Sequence, residues 1–151
     1  RDILEIPTMC QFRTTRHIDG EYTVQETDTY RHFEDSVGAI NDFDRKDFLF
    51  EIPYRAMIKK GFDNLITAGR CVAGNGYAWD VIRVIPPAII TGQAAGEAAV
   101  LSIESGKPIY DIDVSELQNR LEKADVMIHF DDSLIPKDIS KSGERFETDH
   151  I

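Results

Sequence analysis

The sequence predicts an α/β fold, or α+β for the 151 residues taken alone, and three observations carry that expectation. A short apolar run, "NLITAGR" at 64–70, has the pattern of a buried parallel strand whose carboxyl end opens into a glycine-rich loop. Two prolines then lead a long run of small and apolar residues, "PPAIITGQAAGEAAVLSIESG" at 86–106, which reads as a helix. Ahead of both, "QFRTTRHIDGEYTV" from Gln11 places Asp19 and Gly20, a two-residue hairpin signal, between two β-prone segments. A composition of 42% hydrophobic and 29% charged residues is that of a globular chain with one core.

The elements follow in order. After the hairpin, "TDTYRHFEDSVGA" has Thr27 or Asp28 as N-cap and Tyr30, Phe33 and Val37 at helical spacing, predicting a short helix that stops near Gly38. "DFLFEIPY" is extended and ended by Pro53. Residues 64–69 form the predicted parallel strand, and "CVAGNGYAWD" the loop after it; ligands tend to sit at such strand ends. Pro86 and Pro87 occupy a first helical turn, where missing N–H groups cost nothing, and Gly106 supplies the stop. The helix is expected over 87–104. A further helix over 113–123 starts at Asp113, with Glu116 three residues on and Leu117 and Leu121 on its apolar face. From Asp131 the chain turns polar.

Several function classes are excluded by charge and spacing. A net charge of −10 leaves no basic footprint for nucleic acid or an anionic membrane, so neither is expected as a partner. The run from Val81 to Leu101 is broken by Arg83, Pro86, Pro87, Gln93 and Glu97, where a membrane-spanning helix wants about 20 mostly apolar residues. Cys10 and Cys71 fit neither a disulfide framework nor a zinc pattern, and the compartment stays open. No metal is expected. His32 and Asp35 lie three apart on the predicted helix without a third ligand, and "NDFDRKD" at 41–47 lacks the glycine and terminal glutamate of a calcium loop. Cys71 reads as a buried structural cysteine; Tyr77 and Trp79 either cover a ligand or anchor the loop.

The small-residue helix raises a physical question. Ala88, Gly92, Ala95, Gly96 and Ala99 share one helical face. Two interior glycines each cost about 1 kcal/mol of helix stability against alanine, and close backbone approach is the usual compensation. The positive end of the helix favours an anion or partial negative charge, with free N–H groups expected to begin at Ala88 and Ile89. Arg70 and Arg83 bracket the approach to it.

"NLITAGRCVAGNGYAWDVIRVIPPAIITGQAAGEAA" resembles the carboxyl-terminal segment of FAD-dependent oxidoreductases with two dinucleotide-binding domains, the group that includes fumarate reductase flavoproteins. "RTTRHIDGEYTVQETD" and "EIPYRAMI" resemble two earlier segments of the same group, in the right order, over about residues 11–124. The resemblance implies a Rossmann-like FAD-binding domain to which 54–130 contribute the end, part of a β-rich substrate domain over 1–53, and a polar tail over 131–151. It implies FAD held by Ala68, Gly69, Arg70, Arg83, Pro87, Ala88 and Ile89, and a small anionic or hydroxylated substrate met by Arg13, Arg16 and Arg83. The amino-terminal GxGxxG of the group is missing from the sequence, and its frequent histidine after "AGRC" is replaced by Gly76 and Tyr77. The catalytic acid or base therefore has no candidate. The chain, which opens on Arg1, is expected to be the carboxyl-terminal part of a flavoenzyme, inactive alone and completed by the part of the same polypeptide that carries GxGxxG. The alternative is a non-catalytic domain whose small-residue face packs on a partner helix or a second copy.

Overall fold

The computed structural model describes residues 14–45 and 47–137. Its sheet is an antiparallel pair, β1 (Ser36–Asn41) and β2 (Leu49–Pro53), with Ala39 opposite Glu51, Ile40 opposite Phe50 and an irregularity between Ser36 and Ala39. Every residue of β2 is buried. Phe50 and Ile52 belong to the main core with Val37, Tyr54 and Met57. The segment 126–130 runs along the other side of β1, where the Ala39 N–H donates to Met127 O at 2.7 Å and Ser36 Oγ donates to Ile128 O at 2.6 Å.

α2 (Ile85–Ser105) and α3 (Val114–Lys123) pack on this pair, and α1 (Gly76–Ile82) packs beside them against the turns at 26–28 and 69–71. α1 buries Ala78, Val81 and Ile82 and meets α2 at a 75° bend. Pro86 and Pro87 lie in the first turn of α2, and Gly106 ends it in the left-handed region at φ 65°, as the sequence predicts. α3 is capped by Asp113, whose side chain accepts the Ser115 and Glu116 N–H groups. Leu117 and Leu121 are its buried face, worth roughly 1.5–3 kcal/mol each. Arg120 ties α3 to α2 through Glu104 at 2.7 Å, and Gln118 Nε2 donates to the carbonyls of Glu34 and Ser36 beside β1. No single helix among the described residues is long and apolar enough to cross a membrane.

The close approach expected of α2 exists, but on a different face. Its buried stripe is Pro87, Thr91, Ala94, Ala98 and Leu101, whereas Gly92 and Gly96 are exposed and an added Cβ would meet nothing within 4 Å. The small-residue face lies roughly a third of a turn away from the stripe. The glycine that permits contact is on the strand: a Cβ on Gly38 would sit 2.3 Å from Ile90 Cγ2.

Three predicted elements take other forms. The helix expected over 27–38 is a 3-10 turn (Glu26–Asp28) followed by extended chain and β1. Tyr30 sits at φ 63°, and the Asp28 carboxylate, 2% exposed, takes the Gln25 N–H and the Tyr22 hydroxyl, closing the turn before a helix can propagate. The hairpin about Asp19-Gly20 does not pair with itself over its described part, 14–24. Its N–H groups at Ile18, Glu21, Tyr22 and Val24 donate to Cys71, Ile58, Arg55 and Ala73 instead; Gln11 to Arg13 lie outside the described residues. The parallel strand over 64–69 reduces to one antiparallel bridge, Ile58 with Ile66, and a 3-10 turn (Gly69–Cys71) entered at φ +60°. A parallel strand needs a parallel neighbour, and the described residues place none beside it.

Candidate functional site

The end of β1 and the start of α2 enclose a cleft of about 560 Å³. One wall is Ala39 to Asn41 with Phe43, the other the α1–α2 bend from Arg83 to Pro87 with Ile90. The lining is mainly apolar, and among the described residues its only cation is Arg83. That guanidinium is 15% exposed and held by Asp80, at 2.8 Å from Nε and 2.7 Å from one terminal nitrogen. A volume of this order is ordinary for a small-molecule site (about 300–1,000 Å³).

The positive end of α2 meets this cleft with fewer donors than the sequence suggests. The helix begins at Ile85, so Pro86 and Pro87 are its second and third residues and Ala88 its fourth. The Ala88 N–H is already spent on Val84 O at 3.1 Å, which corrects the expectation that free donors begin there. In the first three positions only Ile85 keeps an N–H. What remains is the helix dipole, equivalent to about half a positive charge.

Beside the cleft, the Gly69–Cys71 turn packs on the same helix. Thr91 Oγ1 accepts the Gly69 N–H at 2.9 Å and donates to Pro87 O at 2.7 Å, so one buried hydroxyl fixes the turn against the first turns of α2. A Cβ on Gly69 would lie 3.6 Å from Ala88 Cβ. The structure thus brings Gly69 and Ala88 together, with Ala68 half-buried next to them, and puts Arg83 and Pro87 in the cleft lining. Arg70 is exposed and its carbonyl takes the Trp79 indole N–H at 3.1 Å. Ile89 is 64% exposed on a neighbouring face of α2, outside the lining. Arg16 is exposed and does not line the cleft, while Arg13 lies outside the described residues.

The aromatic residues of the former loop brace the fold. Trp79 holds the Arg70 carbonyl and meets His17 edge-on at 4.7 Å. Tyr77 donates to Asp42, a fully buried carboxylate, at 3.0 Å, with the Arg45 guanidinium 3.8 Å over its ring. Burial first, and then that hydrogen bond, push the Tyr77 pKa up. Cys71, expected buried, is exposed. Asp35 makes a two-point pair with Arg55, at 2.9 and 3.0 Å, rather than a site with His32. His32 lies between Asp132 and Glu51, and its pKa is raised by the hydrogen bond to Asp132 first and that to Glu51 next.

Sequence reasoning missed Thr91, Gly38, Asn41 and Phe43. The one available signal was Thr91, a hydroxyl one turn above a proline whose carbonyl it can reach.

No curated protein and no solved structure matches the chain at a significant level. The sequence profile of the FAD dependent oxidoreductases matches residues 2–121, most of the chain, and includes the cleft, the Gly69 turn and α2. The chain therefore belongs to the FAD-dependent oxidoreductase family, flavin enzymes whose cofactor is FAD.

Proposed function

We propose that the chain forms the ring-facing part of the FAD-binding domain in an enzyme of the fumarate reductase flavoprotein-like group. The enzyme would move a hydride or electrons between a small organic substrate and FAD. The observation that carries this reading is the cleft at the amino terminus of α2, apolar on two sides, with one guanidinium and the positive end of a helix at its mouth.

That chemistry fits the isoalloxazine end of FAD. The ring system is flat and largely apolar, matching walls made by Val84, Pro86, Pro87, Ile90 and Phe43. When bound, FAD supplies the two-electron chemistry, and the protein supplies binding, orientation and electrostatics. Since the prolines remove two donors, α2 acts on negative charge through its field rather than by direct N–H bonds. Arg83, held in place by Asp80, adds a fixed positive charge. Nothing in the sequence matches the GxGxxG unit for the adenine-dinucleotide half, and we place that unit elsewhere in the same polypeptide. The face of α2 that exposes Ile85, Ile89, Val100 and Ile103 is suited to packing against it. Arg13 and Arg16 are assigned to an anionic or hydroxylated substrate, with 1–53 as part of its domain.

The test is flavin content and reduction potential of the full-length protein carrying Arg83→Ala, with Asp80→Asn as the control that keeps the guanidinium. Loss of flavin or a more negative potential is expected for the first and a smaller change for the second. Wild-type flavin content and potential in Arg83→Ala would overturn the placement. Arg16→Ala should raise KM while leaving flavin content unchanged.

A further inference from the structure

Away from the cleft, three residues distant in sequence meet around one oxygen atom. Glu51 in β2 is fully buried. Its Oε2 accepts the Phe33 N–H at 2.7 Å. Its Oε1 faces two imidazoles, His32 Nδ1 at 2.5 Å and His129 Nδ1 at 3.0 Å, and the three atoms lie within 4.8 Å of one another. Among the described residues no lysine or arginine forms an ion pair with this carboxylate.

The outward side of His32 supplies a second, independent observation. Its Nε2 lies 2.8 Å from Asp132 Oδ1, and its ring stacks on Phe130 with centroids 4.2 Å apart. A histidine that ligates a metal through one nitrogen characteristically donates its other N–H to a carboxylate, which fixes tautomer and ring orientation. With the Nε2 proton given to Asp132, His32 Nδ1 faces Glu51 Oε1. A metal ion there takes the place of the proton that the two atoms otherwise share.

We propose that His32 Nδ1, His129 Nδ1 and Glu51 Oε1 form a binding site for one divalent transition-metal ion of the zinc class, with Asp132 orienting His32. Two imidazoles and one carboxylate suit zinc, cobalt, nickel or copper, whereas magnesium and calcium prefer all-oxygen sites. Zinc bonds of about 2.0–2.2 Å place tetrahedral ligand atoms roughly 3.3 Å apart. The two histidine contacts to Glu51 therefore open by less than about 1 Å, and the two nitrogens settle at a similar separation. The histidines can make that adjustment because their side chains are 41% and 46% exposed, while buried Glu51 is anchored by Phe33 and the ladder. The exposed side of the site leaves a fourth position to water. A divalent ion held through both Nδ1 atoms is balanced in charge by the Glu51 and Asp132 carboxylates. By joining the loop at His32, β2 and the segment after α3, the ion clasps residues 126–134 to the sheet.

The experiment uses tag-free, full-length protein dialysed against a chelator, then titrated with Zn2+ by calorimetry and with Co2+ by its visible ligand-field bands to the red of the flavin. One ion per chain and a higher melting temperature with zinc are expected. His129→Ala should weaken binding at least about tenfold and Asp132→Asn by about 10- to 100-fold. Both positions are exposed, so the metal-free variants should melt with metal-free wild type and keep their flavin; Glu51→Gln is avoided because it alters a buried anchor. Absence of one-to-one zinc binding by the wild type up to millimolar concentration, or wild-type zinc affinity in both variants, overturns the site.

Discussion

Gly38→Ala tests the packing that positions the cleft. An alanine Cβ there would lie 2.3 Å from Ile90 Cγ2, where ordinary contact begins at 3.4 Å, while Ile90 Cβ and Cδ1 stay at 3.6 Å. One methyl of one half-buried side chain must move by more than 1 Å, or β1 and α2 must part. Overpacking of this kind costs about 1–3 kcal/mol, and replacing glycine in a strand returns up to about 1 kcal/mol. The net expectation is a loss of about 1–2 kcal/mol. In a chain of 150–250 residues that is a fall in Tm of roughly 2–8 °C. Urea unfolding should show a lower midpoint at unchanged slope. Ile90→Ala removes the obstructing methyl, so in the Gly38→Ala background it should cost less than it does alone, with a coupling of about 1 kcal/mol or more. Wild-type stability for Gly38→Ala, or strict additivity in the double variant, would refute the close approach. Because Ile90 also lines the cleft, flavin content should fall with stability in Gly38→Ala.

Gly92→Ala and Gly96→Ala, whose added Cβ atoms meet open space, should each stabilise the protein by about 1 kcal/mol in thermal unfolding; a loss would reveal a partner packed on that face. Thr91→Val leaves the Gly69 N–H without its acceptor and should cost about 1–3 kcal/mol in urea unfolding, with weaker flavin retention as the 69–71 turn loosens. Asp113→Ala removes the acceptor for Ser115 and Glu116 and should cost about 1 kcal/mol, read by thermal melting. Tyr54→Phe deletes the buried hydroxyl that donates to Ile109 O at 2.6 Å and should lower stability by about 1–3 kcal/mol in the same assay.

Which parts of the molecule were legible in the sequence follows from the range of the interactions that form them. The start of α3 is set by Asp113 and the two N–H groups just after it, and the ends of α2 by Pro86, Pro87 and Gly106. These signals act within one turn of the chain, and β2 is similarly announced by a compact apolar run closed by Pro53. The family match likewise rests on motifs strung along the chain in order. Residues 27–38 misled because Tyr30, Phe33 and Val37 satisfy a helical period, while the deciding event is tertiary: Ser36 on one side of Val37 and Ala39 to Asn41 on the other gain partners in β2. The face of α2 that is buried was equally undecidable, since small residues occur on more than one side and only the position of Gly38 and α3 selects among them.

The sequence by itself determined the ends of α2, the start of α3 and the flavin family, because each depends on residue type and local order. Only the tertiary structure decided that Thr91 holds Gly69 and that His32, Glu51 and His129 share one oxygen. The physical reason is common to both. A hydrogen bond or a ligand set is satisfied by whichever groups the packed chain brings within about 3 Å, and residues 78 positions apart, such as Glu51 and His129, carry no sequence mark of that meeting.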